Sequence, residues 1–381
     1  MNKPANYARS IFLLLLFVSF IMVAAVLKLT SSFFIPLTVA VLLSFVFYPF
    51  VKRMNSVHIP WIMGILIIVF IAMISFFVVG NLLVASLKTI LSAYPKYETR
   101  FLGLYEFLAQ TFKLPFDENS SLFANLWSSL GVRTTVQNWA ISLSNYMISG
   151  AKVILMIALF VIFLLIELRG MHSKVKTAFK EEGTSRKLMF IATKIIAEVT
   201  RYISIKFTIS LITGVLVFLS TSVIKMDFPI IWGFLAFILN FIPNFGSIIS
   251  WLVTTMFALL QFYPQWGYAI YVAAAVLAIN MILGNIVEPR WAGSDLGISP
   301  FIILVGLSLW GWMWGFIGMI LSVPLLVIIK IICENIEFLK PIAVLLGNGS
   351  DRSKKRRTHI HFFNKKNHAA GTETAVQETD A

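Results

Sequence analysis

The chain has 381 residues, 59% of them hydrophobic and 13% charged, against about 45–50% and about 25% in soluble domains. That balance excludes an ordinary soluble globule and implies a polytopic membrane protein. The formal net charge of +14 does not point to nucleic acid, because the basic residues sit in loops beside apolar runs, the positive-inside pattern of cytoplasmic segments.

Lys3 and Arg9 precede the apolar run Ile11–Leu27. The run exceeds the about 7–15 residues of a signal-peptide core and lacks an A-x-A cleavage site, so it reads as a retained first span. Phe33–Phe50 returns the chain, Lys52, Arg53 and His58 form a basic connection, and Pro60–Val84 is the third span. Residues 1–87 therefore read as three transmembrane helices. Across residues 88–150 the composition changes, with Tyr94-Pro95 and Asp117-Glu118-Asn119 interrupting apolar residues at helical spacing. This is expected to be an extracytoplasmic insertion of short amphipathic helices resting on the membrane or on a neighbouring subunit.

Residues 151–345 read as the transmembrane core. Ala151–Leu168 is the fourth span, and Lys174, Lys176, Lys180, Arg186 and Lys187 mark the cytoplasm after it. Ser185 is a candidate N-cap for a helix with no breaker before Gly214. Continuous to Val223, that helix would run about 58 Å, well beyond a bilayer core of about 30 Å. Its part over 169–202 is therefore expected outside the membrane, with Arg201 and Lys206 reaching headgroups. Phe228–Ile242 and Ser247–Phe262 are two short limbs cut by Pro243-Asn244-Phe245-Gly246. Gly267–Ile286 then crosses to a polar joint of Asn285, Glu288, Arg290 and Asp295, and Ser299–Leu309 with Trp310–Ile332 forms a second hairpin about Gly311. The two broken hairpins resemble each other loosely, each with a proline (Pro243, Pro289) and then a glycine (Gly246, Gly293). Residues 346–381 are a basic, then small and polar tail. The expected fold is all-α and polytopic, with about eight membrane segments that include broken or re-entrant hairpins. Both termini are placed in the cytoplasm.

The chemistry concentrates in Asn280–Leu326. A helix that stops inside the membrane leaves carbonyls without partners, and these can coordinate a cation or a solute hydroxyl. Asn240, Pro243, Asn244, Gly246, Asn280, Asn285, Glu288, Pro289, Arg290, Ser299 and Pro300 are the candidate pathway residues on that ground. Asn280 and Asn285 also admit a plain interhelical hydrogen bond. Glu288, the only acidic residue between Asp227 and Asp295, reads either as a transport carboxylate or as half of a structural pair with Arg290. If Arg290 is its partner, Glu288→Gln should abolish flux and preserve expression, whereas Arg290→Ala should lower stability. Gly311, Gly315 and Gly318 allow close helix approach within or between subunits, which leaves a homo-oligomer open. Trp310, Trp312, Trp314 and Phe316 read as an interfacial belt.

No enzyme signature is present: there is no H-E-x-x-H, no G-x-S-x-G and no phosphate-binding G-x-x-x-x-G-K-[ST]. The single cysteine, Cys333, founds no disulfide or cysteine-based metal site. A non-enzyme is expected, with no cofactor or metal, acting on a small polar solute or monovalent cation in contact with membrane lipid. A scaffold working through the insertion and tail is the reading from another class.

The segments E-P-R-W-A-G from Glu288, G-I-S-P from Gly297, W-G-F-I-G from Trp314 and S-V-P-L-L from Ser322, with Phe237–Gly246, carry a resemblance. On them the chain resembles the AI-2E transporter family of bacterial inner-membrane proteins. The resemblance implies export of autoinducer-2, a quorum-sensing signal, or, as in other members, sodium or lithium/proton antiport. It also implies functional weight at Pro243, Gly246, Glu288, Pro289, Gly293, Ser299, Pro300, Gly315, Gly318 and Pro324. The chain departs from the family pattern at Asn244 and Ser247.

Overall fold

The computed structural model describes residues 7–112, 132–179, 181–292 and 297–348. Gly293, Asp295, the middle of the insertion and the basic tail lie outside the described residues. What is described is helical, apart from a single antiparallel bridge between Ile298 and Gly347. Seven of its helices are long and apolar enough to cross a membrane, and the apolar stretches Leu14–Leu29 and Pro229–Leu239 are shorter.

Helices α1 (Tyr7–Leu29) and α2 (Ser31–Ser56) are joined by Thr30 alone. Helix α3 (Trp61–Phe112) and helix α4 (Val132–Ala178) do not stop at the membrane. Their apolar portions are Trp61–Ser86 and Gly150–Ala178, and each rod continues unbroken into the insertion. The expected short helices are thus, where described, extensions of the spans themselves. Pro95 does not end α3. Trp61 Nε1 donates to the Leu165 carbonyl at 3.2 Å, and Ile65, Val161 and Leu165 are fully buried around that bond.

Helix α5 (Glu182–Val223) is the axis of the core and touches α2, α4, α6, α8 and the later elements. It begins at Glu182, with Glu181 as its cap, so Ser185 lies inside it and is buried. The helix passes through Gly214 unbroken. Gly214 serves packing: a Cβ there would come within 2.8 Å of the Gly233 carbonyl on α6 (Pro229–Leu239), and one on Gly233 within 2.7 Å of the Gly214 carbonyl. The two backbones meet where neither has a side chain.

Helices α6 and α7 (Phe245–Phe262) form the first hairpin. Asn244 takes φ 63° and ψ −53° at its apex, the centre of a tight γ-turn in which the Phe245 amide donates to the Pro243 carbonyl at 2.7 Å. Gly246 lies directly under the end of α6, and a Cβ there would stand 1.7 Å from the Leu239 carbonyl oxygen. Helix α8 (Trp266–Met281) runs into a π turn at Ile282–Val287 and then into the short α9 (Glu288–Ala292). Pro289, expected to end this helix, does not, because the π turn widens the helix where the proline ring would strike the carbonyl four residues back.

Helix α10 (Pro300–Asn335) is two limbs folded at Gly315, whose φ of 62° and ψ of −142° suit glycine alone. The expected second hairpin exists, but its apex is Gly315 rather than Gly311. A Cβ on Gly318 would stand 2.0 Å from the Trp310 carbonyl oxygen, and Gly311 faces Met319. Gly311 and Gly318 therefore pack the hairpin on itself, while Gly315 makes its turn and has nothing within 4 Å of a Cβ. The aromatic run divides as well: Trp314 is buried and donates to the Leu27 carbonyl at 3.1 Å, whereas Trp312 is exposed beneath the Lys28 ammonium. A short α11 (Lys340–Leu346) closes the described chain.

The far part of α3 and the start of the first hairpin are joined at Asp227. Lys96 reaches its carboxylate at 2.5 Å, Tyr97 donates to the same oxygen, and Gln261 accepts the Asp227 amide at 2.7 Å. Burial opposes the charge of Asp227. Hydrogen bonds from Lys96 and Tyr97, with the nearby Lys96 and Arg100 charges, outweigh it and hold the carboxyl below the usual range. A carboxyl with a depressed folded-state pKa lends stability above its unfolded value, about 3.9, and loses it as pH falls through the folded value. Asp227→Asn should therefore cost about 1 kcal/mol at neutral pH, the modest figure suited to a partly exposed pair. Thermal unfolding across pH is the check, with the gap to wild type closing in acid below the ordinary carboxylate range.

Candidate functional site

Two breaks in helical structure meet over one buried lysine. Lys206 projects from α5, Asn240 caps the C-terminus of α6, Pro243 and Asn244 form the hairpin apex, and Ser247 opens α7. Asn280 comes from α8, Asn285 from the π turn and Glu288 from the start of α9. Together they line a cavity of about 310 Å³ whose apolar wall includes Ile248, Trp251 and Leu277. That volume is at the lower end for small-molecule sites, about 300–1,000 Å³.

Among the described residues, the cavity's only charges are Lys206 and Glu288. Lys206 Nζ donates to both carboxylate oxygens, at 2.8 and 2.9 Å. The lysine side chain is only 6% exposed and the glutamate 26%. This corrects two expectations. Lys206 does not reach headgroups, and Glu288 is paired with Lys206 rather than with Arg290, which is exposed. The reason is the π turn. It brings the first residue of α9 over α5, and Arg290, two positions on, falls on another side of the helix.

The amides divide their work. Asn240 Nδ2 donates to Ser210 Oγ at 3.0 Å, and Asn280 Nδ2 to the Ser247 carbonyl at 3.2 Å. Both ties hold the helices around the cavity that the two asparagines line. Asn244 and Asn285 are exposed at its walls. At the hairpin apex the last carbonyls of α6 and the first amides of α7 end beside the same space, as broken membrane helices do at solute sites.

Of the candidate pathway residues, six meet at the cavity: Asn240, Pro243, Asn244, Asn280, Asn285 and Glu288. Gly246 sits beneath them as a packing position. Pro289 and Arg290 are exposed outside it. Ser299 and Pro300 are elsewhere, where the Ser299 amide donates to the Leu346 carbonyl at 3.0 Å and Pro300 starts α10. Lys206, Ser247 and Trp251 are additions to the candidates read from sequence. Lys206 has a signal of its own there, since it is the last charge before eighteen uncharged residues, and a charge at that depth needs a partner.

A broken-helix cavity with an intramembrane ion pair is a transporter's arrangement, and comparison with known proteins agrees. The profile described as AI-2E family transporter matches residues 14–338. The chain belongs to the AI-2E transporter family. A protein of Borreliella burgdorferi named provisionally as a transport protein is 29% identical over 320 residues, 84% of this chain and 86% of that protein. One of Haemophilus influenzae named in the same way is 30% identical over 337 residues, 87% of this chain and 94% of its own. The AI-2 transport protein TqsA of Escherichia coli is 27% identical over 351 residues, 91% of this chain and 99% of its own. As an AI-2E family member the chain is a multi-pass membrane transport protein.

Proposed function

We propose that the cavity between α5, the first hairpin and α8 is the solute site of a transporter that exports a small polar molecule such as autoinducer-2 across the bacterial inner membrane. The observation that carries this reading is the convergence of four asparagines and a broken helix on a space of about 310 Å³ beside an ion pair. Side-chain amides suit the hydroxyls and carbonyls of a polar solute, and the apolar wall of Trp251 and Leu277 suits its carbon skeleton. The AI-2 transport protein TqsA supports the choice of probe. Without a phosphate-binding motif, movement draws on a gradient rather than on ATP. The orientation that fits the basic loops has both termini in the cytoplasm, with the cavity opening toward that side and the Asp227 junction outside.

The test is autoinducer-2 flux in proteoliposomes. Asn285 lines the cavity and is exposed there, so Asn285→Leu should lower flux at least tenfold while leaving the melting temperature unchanged. That loss is about 1.4 kcal/mol of binding, the scale of one or two hydrogen bonds. Wild-type flux from the variant would leave the cavity without a role in transport, whereas no flux from the wild type would favour a scaffold working through the insertion.

A further inference from the structure

The charge balance of the cavity carries an inference about what can occupy it, and it rests on reading that cavity as the solute site. Among the described residues its lining holds one positive and one negative group, and these neutralise each other in direct contact. The other described polar groups there are amides, a hydroxyl, the Trp251 indole N–H and backbone. A mobile cation seeking the Glu288 carboxylate finds both oxygens engaged by the ammonium of a lysine whose side chain is only 6% exposed. Displacing it would strand a buried positive charge, and an anion displacing Glu288 would strand the lysine in the same way.

We infer that Lys206 is a tethered cation: it permanently fills the place beside Glu288 that a sodium or lithium ion would otherwise take, so the cavity admits only solutes without net charge and carries them without moving charge. The asparagine amides are then the recognition groups, and the ion pair is the wall that sets the charge of the cargo. Antiport of a bare cation through this cavity is disfavoured by the same geometry.

Two measurements on the full-length protein test this. In detergent at matched ionic strength, the wild-type melting temperature should be the same in sodium, lithium or choline chloride. Lys206→Met should melt higher in sodium or lithium than in choline, because the lone carboxylate now takes up a cation, and Lys206→Met/Glu288→Gln should lose that response. Sodium-specific stabilisation of the wild type, or indifference of Lys206→Met, overturns the inference. Should Lys206→Met not fold, the wild type in proteoliposomes decides. Under a potassium diffusion potential, moving one charge changes an accumulation ratio about 50-fold per 100 mV. The autoinducer-2 ratio should change less than twofold, and radioactive sodium should not accumulate. A ratio that follows the potential, for either probe, sinks the inference. If neither probe moves, the export reading fails, while the wild-type melting series still decides the tethered cation.

Discussion

Glu288→Gln should destabilise the folded protein by about 3–5 kcal/mol, the range for removing one partner of a buried ion pair. The amide keeps the size of the side chain but leaves Lys206, 5% exposed, without the negative charge and with one acceptor in place of the two oxygens now 2.8 and 2.9 Å away. Lys206→Met should cost less, because Glu288 retains 26% exposure and can draw on water. The double variant Lys206→Met/Glu288→Leu should recover most of the loss, since no charge is then stranded. Arg290→Ala should change stability by no more than about 0.5 kcal/mol, as an exposed substitution does. Thermal unfolding of purified variants separates these outcomes. Equal losses from Arg290→Ala and Glu288→Gln would restore the pairing expected from sequence and deny Lys206 its role as the partner.

Gly246→Ala should prevent assembly of the first hairpin, with a cost of about 4 kcal/mol or more. The added methyl would stand 1.7 Å from the Leu239 carbonyl oxygen and 2.5 Å from its carbon. The obstacle is backbone rather than a movable side chain, so relief requires α6 and α7 to part at the apex that builds the cavity. Gly318→Ala should do the same to the second hairpin through the Trp310 carbonyl at 2.0 Å. Gly267→Ala is the control, with nothing within 4 Å of its Cβ and a gain in helix propensity. Size-exclusion profiles in detergent give the readout: aggregation of the two tight-glycine variants beside a monodisperse Gly267→Ala. A monodisperse Gly246→Ala with unchanged melting would remove close packing as the purpose of that glycine.

Both hairpins are legible in the sequence, for different reasons. Pro243-Asn244 between two apolar limbs marks a turn by local chemistry alone, and it stands where expected. The apex of the second is misplaced at Gly311 because spacing cannot say which of several glycines adopts a positive φ, and only the folded chain shows Gly315 doing so. The likeness between the hairpins is also differently built. Pro289 and Gly293 match Pro243 and Gly246 by residue type, but Pro289 lies in a continuing helix. The structural counterparts are Gly246 and Gly318, each pressed against a carbonyl near the end of the limb before it.

The candidate site divides along the same line. Asparagines at broken helix ends are visible because polar side chains stand out in apolar runs. Lys206 as the partner of Glu288 is not, because the two are 82 residues apart and a neighbour in sequence is the simpler pairing. The insertion misleads through Pro95, which α3 passes without ending.

The π turn at Ile282–Val287 has a consequence for how this site tolerates change in chain length. A wide turn is an α-helix carrying a surplus residue, and each residue added or removed rotates the downstream helix by about 100° and shifts it by about 1.5 Å. Glu288 meets Lys206 only because the surplus is there. Loss of any single residue within the turn would relax it toward ordinary pitch and drive Pro289 against a carbonyl. It would also swing the carboxylate off α5, and where the lost residue is Ile282, Leu283, Ile286 or Val287 it would do so without removing any side chain that lines the cavity.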